Sequence, residues 1–253
     1  MSEWEVFRNA PITEAIIDVQ VSPAKDLTVQ KLESIDSRIR AAYSNKKAIR
    51  TVAFQGNVTM DMGQEPKLGI TSDGRHIGFA FTSTDQQAVF QCRLNGFSHH
   101  KLKPYTDWKT FKSSAAELWQ DYYAVAKPEF VTRLGVRFVN LIELPLPILD
   151  FKDYLTTVPE IGEGVPQRMN GLFMRLELAD ADTGNVAIFT EAMTPLTEEA
   201  DHCGIILDID TVFQSKMPVN GGKELWAKLD QLRDLKNRVF FHSLTELTKE
   251  RFR

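Results

Sequence analysis

The chain has 253 residues, of which 43% are hydrophobic and 25% charged, and its formal net charge is −4. This composition supplies a sizeable core and excludes wholesale disorder, while the acidic balance disfavours binding of nucleic acid through bulk positive charge. Two cysteines exclude a disulfide framework and a cysteine-rich zinc module. No apolar run approaches the ~18 residues of a membrane span, and the start of the chain is acidic where a signal peptide would be basic. We therefore expect a cytoplasmic protein that does not bind membranes.

The first half of the chain is predicted to contain several strands and two helices. Polar and apolar residues alternate in four segments, as in half-buried strands. These segments are residues 14–21, 51–62, 77–81 and 90–95, with Asp73-Gly74 as a hairpin turn before the third. Apolar residues at steps of three and four predict a helix over 26–44, capped by Asp26, and an aromatic helix from Trp108 to Pro128. The basic clusters at 46–50 and 99–103 are assigned to loops.

The second half follows a similar order of elements. Strands are predicted at residues 130–144, 172–178, 186–191 and 205–210. A short helical segment over 151–155 follows the first of these strands. A long helix begins near Lys223, and its apolar stripe shifts phase near Asn237.

Residues 1–127 and 128–253 thus share a plan. Because each predicted sheet has only one strongly apolar face, we expect an α+β protein in which two β-α-β(3–4)-α halves form one continuous, twisted antiparallel sheet with helices on one face. The element order resembles that of the TATA-binding protein, an analogy of topology that implies no function. One compact unit is expected, and two separate α+β domains that meet near Pro128 are the alternative.

Charged and amide side chains on the polar sides of these strands should share the sheet face that no helix covers. They are Asp18, Gln20, Gln55, Asn57, Asp61, Gln91, Arg93, Arg133, Arg137, Arg175, Glu177, Glu191, Asp208 and Asp210. A charged strand residue must be solvated or paired. This face is therefore either a wet surface with cross-strand ion pairs or a binding surface for a peptide, a nucleotide or a partner protein. The candidate ligand-binding residues on it are Arg93, Arg133, Arg137, Arg175, Glu177, Asp208 and Asp210.

Two arginines form the centre of this candidate site. Arg133 and Arg137 lie on one side of a strand about 13 Å apart. They could hold an extended anionic ligand, with Gly135 between them permitting close approach, and the alternative is that they pair with Glu177 or Asp208. Two carboxylates on the same face, those of Asp208 and Asp210, could share a divalent cation. No third ligand is fixed by spacing, so no metal site is expected.

Local motifs of hydrolases, nucleotide-hydrolysing enzymes and dinucleotide-binding proteins do not occur. The sequence contains no Gly-x-Ser-x-Gly, no Walker-type Gly-Lys-Ser/Thr, no His-Glu-x-x-His and no glycine-rich dinucleotide turn. We therefore predict no catalytic residue and no cofactor.

Four stretches of the sequence are distinctive when they are taken together. They are Ala10-Pro11-Ile12-Thr13-Glu14-Ala15-Ile16, Pro104-Tyr105-Thr106-Asp107-Trp108, Arg133-Leu134-Gly135-Val136-Arg137-Phe138-Val139-Asn140 and Asn237-Arg238-Val239-Phe240-Phe241. Together they resemble a sporadically distributed bacterial protein family of unassigned function. The likeness spans nearly the whole chain and so favours one compact unit. It implies no activity, and the patchy distribution of the family suggests an accessory or defence role.

On these grounds we expect a non-enzymatic binding or interaction protein whose polar sheet face takes an unknown protein or a small anionic ligand. The alternative is an enzyme acting on a phosphorylated or nucleotide-like substrate, with Arg133, Arg137 and Arg175 as anion holders and the two aspartates as metal or base groups. A nucleic-acid-contacting module is a third alternative, which the net charge disfavours. Self-association as a homodimer is left open, because a strand such as 90–95 or 205–211 would form an unpaired sheet edge.

Overall fold

The computed structural model describes residues 4–59, 67–167, 169–195, 201–219 and 222–253, and the side chains of 52–59 and 67–73 are left aside. Strands of this part of the chain join one antiparallel sheet, and helices pack against it. The strands are β1 (Ile12–Val21), β2 (Asn45–Thr59), β3 (Lys67–Thr82), β4 (Ala88–Arg93), β5 (Gly96–Leu102), β6 (Phe130–Pro145), β7 (Phe173–Ala179), β8 (Val186–Met193), β9 (His202–Phe213) and β10 (Met217–Pro218). The helices are α1 (Val29–Glu33), α2 (Asp36–Ile39), α3 (Trp108–Ala126), α4 (Lys223–Ser243) and α5 (Glu246–Glu250), with a 3₁₀ turn at Phe151–Asp153.

The strands follow the spatial order β2-β3-β4-β5-β1-β6-β9-β8-β7, and β10 pairs separately with β6. Both halves of the chain therefore supply a strand to the centre of the sheet, where β1 pairs with β6 along most of its length and Ile17 lies opposite Val136. This arrangement confirms the prediction of an α+β fold with a large antiparallel sheet.

One face of the sheet, which we call the covered face, carries the core. The cross-strand neighbours Ile17 and Val136 are fully buried on it, and Phe189 on β8 and Ile209 on β9 continue it. Helices α1, α2, α3 and the first half of α4 cover one cluster of buried side chains, while the second half of α4 covers another. The opposite face, on which none of the described helices packs, is the uncovered face.

Helix α3 begins and ends where the sequence predicts. The Asp107 side chain caps it by accepting a hydrogen bond from the Thr110 backbone N–H at 2.8 Å. Its aromatic stripe, which includes Trp119 and Tyr122, is buried against the sheet. The helix ends at Lys127, whose φ of 43° is left-handed, immediately before Pro128.

The predicted helix over 26–44 is instead two short helices, so that prediction is wrong in its extent. Thr28, and not Asp26, caps α1. The side chain of Ser34 bonds to the carbonyl of Lys31 at 2.7 Å, an interaction that competes with helix continuation. The apolar stripe itself survives the break, since Leu32, Ile35 and Ile39 are all buried.

Other local predictions are also corrected. Asp73-Gly74 is not a turn but lies inside β3, and the clusters at 46–50 and 99–103 belong mainly to β2 and β5. His99 on β5 is buried against the ring of Phe111, and burial lowers its pKa to about 4. The inward and outward assignments made for the side chains of residues 52–62 fall on side chains that are not described.

The predicted open edges of the sheet are wrong. Strand β4 lies between β3 and β5, and β9 lies between β6 and β8, so residues 90–95 and 205–211 both form interior strands for most of their length. The sheet ends instead at β2 and β7. None of the described helices is long and apolar enough to span a membrane.

Candidate functional site

The candidate ligand-binding residues predicted from sequence lie on the uncovered face, where the central ones pair with each other. Asp18 on β1 accepts hydrogen bonds from Arg93 on β4 and from Arg133 on β6. The second arm of Arg133 donates to Asp210 on β9 at 2.9 Å. A side chain at Gly135 would place its Cβ 2.9 Å from Nη1 of Arg133. Gly135 therefore makes room for this guanidinium.

The remaining predicted residues form two separate pairs. Arg137 donates from Nε to Asp208 at 2.8 Å, and Arg175 donates to Glu177 at 2.8 Å. The second pair lies on edge strand β7, two strands away from β9 and thus about 10 Å from the first pair. The structure therefore brings together the residues on β1, β4, β6 and β9 but not those on β7. Pairs of this kind, partly open to water, contribute about 0.2–1 kcal/mol each.

The pairing leaves little anion-binding or metal-binding capacity on this face. Asp208 accepts hydrogen bonds from Arg137 on both carboxylate oxygens, and Asp210 accepts one from Arg133 on Oδ2. Burial raises the pKa of Asp210, and Arg133 opposes that rise. Within the described residues, no three His, Cys, Asp or Glu side chains cluster as metal ligands would.

Glu191 was predicted to lie on the uncovered face, and that prediction is wrong. It lies on β8, its cross-strand neighbours are Met174 on β7 and Leu207 on β9, and Leu207 is buried in the core on the covered face. Glu191 is fully buried, neither carboxylate oxygen has a hydrogen-bond partner among the described residues, and burial raises its pKa to about 7. Thr190, and not Glu191, occupies the uncovered face beside Asp208.

A cavity of about 460 Å³ lies on the covered side of the molecule. We call it the α4 cavity, and its walls are the N-terminal segment 4–12, the loop 103–108, the side chains of Phe138 and Asn140 on β6, and residues of α4 between 233 and 241. Each of the four stretches singled out in the sequence contributes residues to these walls. The candidate site is therefore formed by segments that are far apart in the sequence.

Lys236 is the most unusual residue of the α4 cavity. Its side chain lines the cavity, the residue is only 6% exposed, and it forms no hydrogen bond or ion pair with the described residues. Its Nζ lies 3.9 Å from the centroid of the Phe138 ring and 5.7 Å from that of Phe240. Burial lowers the pKa of this amine to about 7, and the nearby charge of Arg233 lowers it further. The aromatic faces attract an ammonium, but burial has the larger effect.

Other basic groups surround the same space. Arg233 precedes Lys236 by one helical turn, and its guanidinium lies 5.9 Å from the centroid of the Trp108 ring. Among the described residues, the one carboxylate it contacts is that of the adjacent Asp234, at 3.5 Å. Arg8 and Lys103 also line the cavity. The lining of the α4 cavity therefore contains four basic side chains, those of Arg8, Lys103, Arg233 and Lys236.

Both carboxylates that line the α4 cavity are already engaged elsewhere. Glu5 accepts two hydrogen bonds from Arg253, at 2.6 and 3.1 Å. Asp107 accepts from the backbone N–H and the hydroxyl of Thr110, both at 2.8 Å, and these bonds lower its pKa. Neither carboxylate is therefore available to neutralise Lys236. The described part of the cavity carries an excess of positive charge.

Uncharged polar groups and aromatic rings complete the lining. Asn237 is 5% exposed, and its side chain forms no hydrogen bond with the described residues. Asn140 donates from Nδ2 to the carbonyl of Leu207 at 2.9 Å. The indole N–H of Trp4 is buried without a described partner, while its ring stacks on Phe241 at 5.2 Å. Apolar walls with a few unsatisfied polar groups are typical of small-molecule sites.

Neighbouring contacts hold one aromatic wall in place. Trp108 donates from its indole N–H to Asp230 at 2.8 Å, and Lys112 donates to the same carboxylate at 2.8 Å. Tyr105 packs edge to face on Phe138 at 5.3 Å, and burial raises the pKa of its phenol, which stays neutral. These contacts preorganise the wall.

A second, more open hollow of about 380 Å³ lies between α4 and edge strand β7. Leu176, Phe189 and Val239 line it. Arg238 also lines it, and its guanidinium forms an ion pair with Asp180. This hollow therefore lacks the unpaired buried cation that distinguishes the α4 cavity.

Sequence reasoning missed the α4 cavity, although one signal pointed to it. Leu225, Leu229, Leu232 and Phe240 form the buried stripe of α4, and Lys236 occupies the position in that stripe between the last two. Lysine is rarely buried, so a lysine at a core position of an amphipathic helix indicates a candidate functional residue.

No protein-family model matches this sequence, and a comparison with curated proteins finds no significant match. The function is therefore inferred from the chemistry of the molecule itself.

Proposed function

We propose that this protein binds a small anionic molecule in the α4 cavity. The observation that supports the proposal most strongly is the buried amine of Lys236, which lies beside Arg233 and has no carboxylate partner among the described residues. A buried cation without a counter-charge is unfavourable, and an anionic ligand would supply the missing charge. Such a ligand would also desolvate together with the two cations, which strengthens their attraction to it.

The size and lining of the cavity narrow the ligand further. Its volume of about 460 Å³ lies within the range of small-molecule pockets. Tyr105, Trp108 and Phe138 present ring surfaces on which a planar or apolar portion of a ligand could pack. We therefore propose a metabolite-sized molecule that carries a carboxylate or phosphate and an unsaturated or apolar body.

This proposal moves the expected binding site from the uncovered sheet face to the covered side. The arginines of the uncovered face already pair with Asp18, Asp208 and Asp210. A ligand on that face would have to displace these pairs. A ligand in the α4 cavity would instead meet Lys236, which has no carboxylate partner among the described residues, and Arg233, whose approach to Asp234 is a long 3.5 Å. An unknown protein partner at the sheet face is therefore the less favoured proposal.

An enzyme that acts on a phosphorylated or nucleotide-like substrate is the second candidate. It is favoured by one specific observation, the position of the buried Lys236 amine at the wall of a cavity, where burial lowers its pKa to about 7. Amines with such a pKa are typical of bases and nucleophiles in active sites. Turnover of a bound anion, measured by chromatography of the ligand after incubation, would distinguish an enzyme from a binding protein.

Several broader expectations also stand as proposals. In each half the first strand lies beside the last long strand, with the others ordered outward, as β2-β3-β4-β5-β1 and β6-β9-β8-β7. This order supports an internal duplication of the kind seen in the TATA-binding protein. A cytoplasmic location in a bacterium is compatible with the two free, buried cysteines, Cys92 and Cys203. A homodimer formed by pairing of sheet edges would use edge strand β2 or β7.

The proposal is tested by measuring ligand-induced stabilisation. We expect at least one anion among pyruvate, 2-oxoglutarate, citrate, inorganic phosphate and AMP to raise the melting temperature. A ligand present at 100 times its Kd stabilises a protein by about 2.7 kcal/mol, which for a chain of this size corresponds to roughly 5–10 °C.

Matched variants locate the binding site. We expect Arg233→Gln to abolish the stabilisation, because it removes a cavity cation, and Arg175→Gln to retain it, because Arg175 lies on the uncovered face. Both variants remove one arginine, and so they change net charge equally. Stabilisation that is lost in Arg175→Gln and kept in Arg233→Gln would place the ligand on the sheet face and contradict the proposal.

A further inference from the structure

The amine of Lys236 lacks the roles that lysines usually have in folded proteins. A structural lysine places its ammonium in water, pairs it with a carboxylate or donates it to carbonyl oxygens. Among the described residues none of these arrangements is found for Lys236, whose Nζ lies over the Phe138 ring at the cavity wall. The amine is thus held at the surface of a small, preformed space with its nitrogen free to react.

We propose that Lys236 forms an imine with a ligand that carries an aldehyde or ketone next to its anionic group, as an α-keto acid does. This inference rests on the proposed function and names the chemical class of the ligand. Arg233 lies one turn away on the same face of α4. Residues spaced by three on a helix have Cβ atoms about 5–6 Å apart, so a long guanidinium arm can hold the carboxylate while the amine meets the adjacent carbonyl.

The chemistry balances without an oxidant or a metal. The nitrogen lone pair of Lys236 attacks the carbonyl carbon and forms a C–N bond, and the carbonyl oxygen leaves as water with the two hydrogens of the amine. A proton from solvent then converts the imine to an iminium ion, whose charge can be balanced by the carboxylate of the ligand. The side-chain amide of Asn237, which lines the same cavity, is available to donate a hydrogen bond to the carbonyl oxygen.

Burial of the amine supports this chemistry at neutral pH. A lysine in water has a pKa of about 10.4. The pKa of Lys236 is lowered to about 7, so roughly half of the amine is neutral at pH 7, about a thousandfold more than for a lysine in water. The titratable groups that line the cavity with it are Glu5, Arg8, Lys103, Tyr105, Asp107 and Arg233.

Reductive trapping tests the proposal. The full-length protein is incubated at pH 7 with glyoxylate, pyruvate, 2-oxoglutarate or pyridoxal 5′-phosphate, an imine is reduced with cyanoborohydride, and peptides are analysed by mass spectrometry. We expect at least one probe to modify Lys236, with an added mass equal to the probe less one oxygen. Modification at Lys236 should exceed that at Lys228, on the same helix, by about tenfold or more, as its larger neutral fraction implies.

Two variants and a pH series make the result decisive. Lys236→Arg should remove this modification, whereas Lys228→Arg should leave it unchanged, and circular dichroism confirms that both fold. The rate of trapping should rise with pH through 7. Absence of modification at Lys236 above the Lys236→Arg background with every probe, or a rate that rises only near pH 10, would overturn the proposal.

Failure of this inference can be told apart from failure of the proposed function. If an anion stabilises the protein in an Arg233-dependent way but no probe is trapped on Lys236, the cavity binds anions and imine formation is refuted. If imine formation at Lys236 is observed, both ideas are supported, because the probe must enter the α4 cavity to reach the amine.

Discussion

Replacement of Lys236 by methionine should make the protein more stable while it removes ligand binding. Methionine has similar length, no charge and a flexible chain that can cover the Phe138 and Phe240 rings. A pKa of about 7 in the folded state, against an ordinary 10.5, corresponds to about 5 kcal/mol of destabilisation below pH 7. Attraction of the ammonium to the two rings offsets about 0.5–2 kcal/mol. We therefore expect Lys236→Met to gain about 3 kcal/mol at pH 6.

The pH dependence of this gain is the sharper test. Between pH 7 and about 10.5 the unfolded chain keeps a proton that the folded chain has released. The stability of the wild-type protein therefore rises with pH in that window, relative to a variant without the amine. The advantage of Lys236→Met should be smaller at pH 9 than at pH 6 by about 2.7 kcal/mol.

Urea unfolding followed by tryptophan fluorescence at pH 6 and pH 9 measures both quantities. The slope with urea should be the same for both proteins, so that a change in midpoint reports stability. Lys228→Met is the matched control, because it removes a lysine from the same helix outside the α4 cavity, and its stability should change by less than about 1 kcal/mol at either pH. A Lys236→Met variant that is less stable than wild type at pH 6, or whose advantage does not depend on pH, would refute the reasoning.

Three further substitutions test other parts of the account. The folded-state pKa of Glu191 is raised from 4.5 to about 7. The unfolded chain therefore releases this proton at lower pH than the folded chain, and the stability of the protein falls as pH rises from 4.5 to 7. Glu191→Gln should therefore be about 3 kcal/mol more stable than wild type at pH 8 and nearly equal at pH 4 in urea unfolding, and equal differences at both pH values would contradict this. Asp107→Ala removes the cap of α3 and should lower stability by about 1 kcal/mol, which a thermal melt can measure; an unchanged melting temperature would show that the cap is dispensable. Gly96 has a φ of +151° and a Cβ there would lie 2.3 Å from the Val19 carbonyl oxygen, so Gly96→Ala should destabilise the protein by about 3 kcal/mol or more, and a variant that melts like wild type would count against this geometry.

Local patterns in the sequence account for much of the fold. The alternation in β1 and β6 places Ile17 and Val136 on the covered face and Asp18 and Arg137 on the uncovered one, as predicted. These assignments succeed because alternate residues of each strand are apolar and the residues between them are polar. Burial of the apolar set therefore determines that the polar set lies on the other face of the sheet. The aromatic stripe likewise predicts the start of α3 at Trp108.

Alternation does not predict which side of a strand is buried when both alternating sets of residues are apolar. In β8, Val186 and Ile188 alternate with Ala187 and Phe189, and the charge of Glu191 predicts that the set containing Phe189 faces water. The large apolar side chain of Phe189 is buried on the covered face. Glu191 lies two residues further along β8 on the same side, and so it is also buried, at an energetic cost. A residue that violates a general preference in this way could not be identified from its neighbours in the chain.

Spatial order and the α4 cavity lie beyond local patterns for a different reason. Which strands form the edges depends on pairings between segments more than a hundred residues apart, such as β1 with β6. The α4 cavity likewise needs the N-terminal segment, the loop 103–108, β6 and α4 together. The spacing of residues within one segment does not show which distant segments pack against it. The position of Lys236 within an apolar stripe was the one local trace of it.

The most direct test of the central claim is a crystal structure of the protein in complex with the anion that stabilises it most. We predict electron density for that anion inside the α4 cavity, with its carboxylate or phosphate within hydrogen-bonding distance of Arg233 or Lys236. Density for the anion among Arg93, Arg133 and Arg137 on the uncovered face, with the α4 cavity holding water alone, would contradict the account.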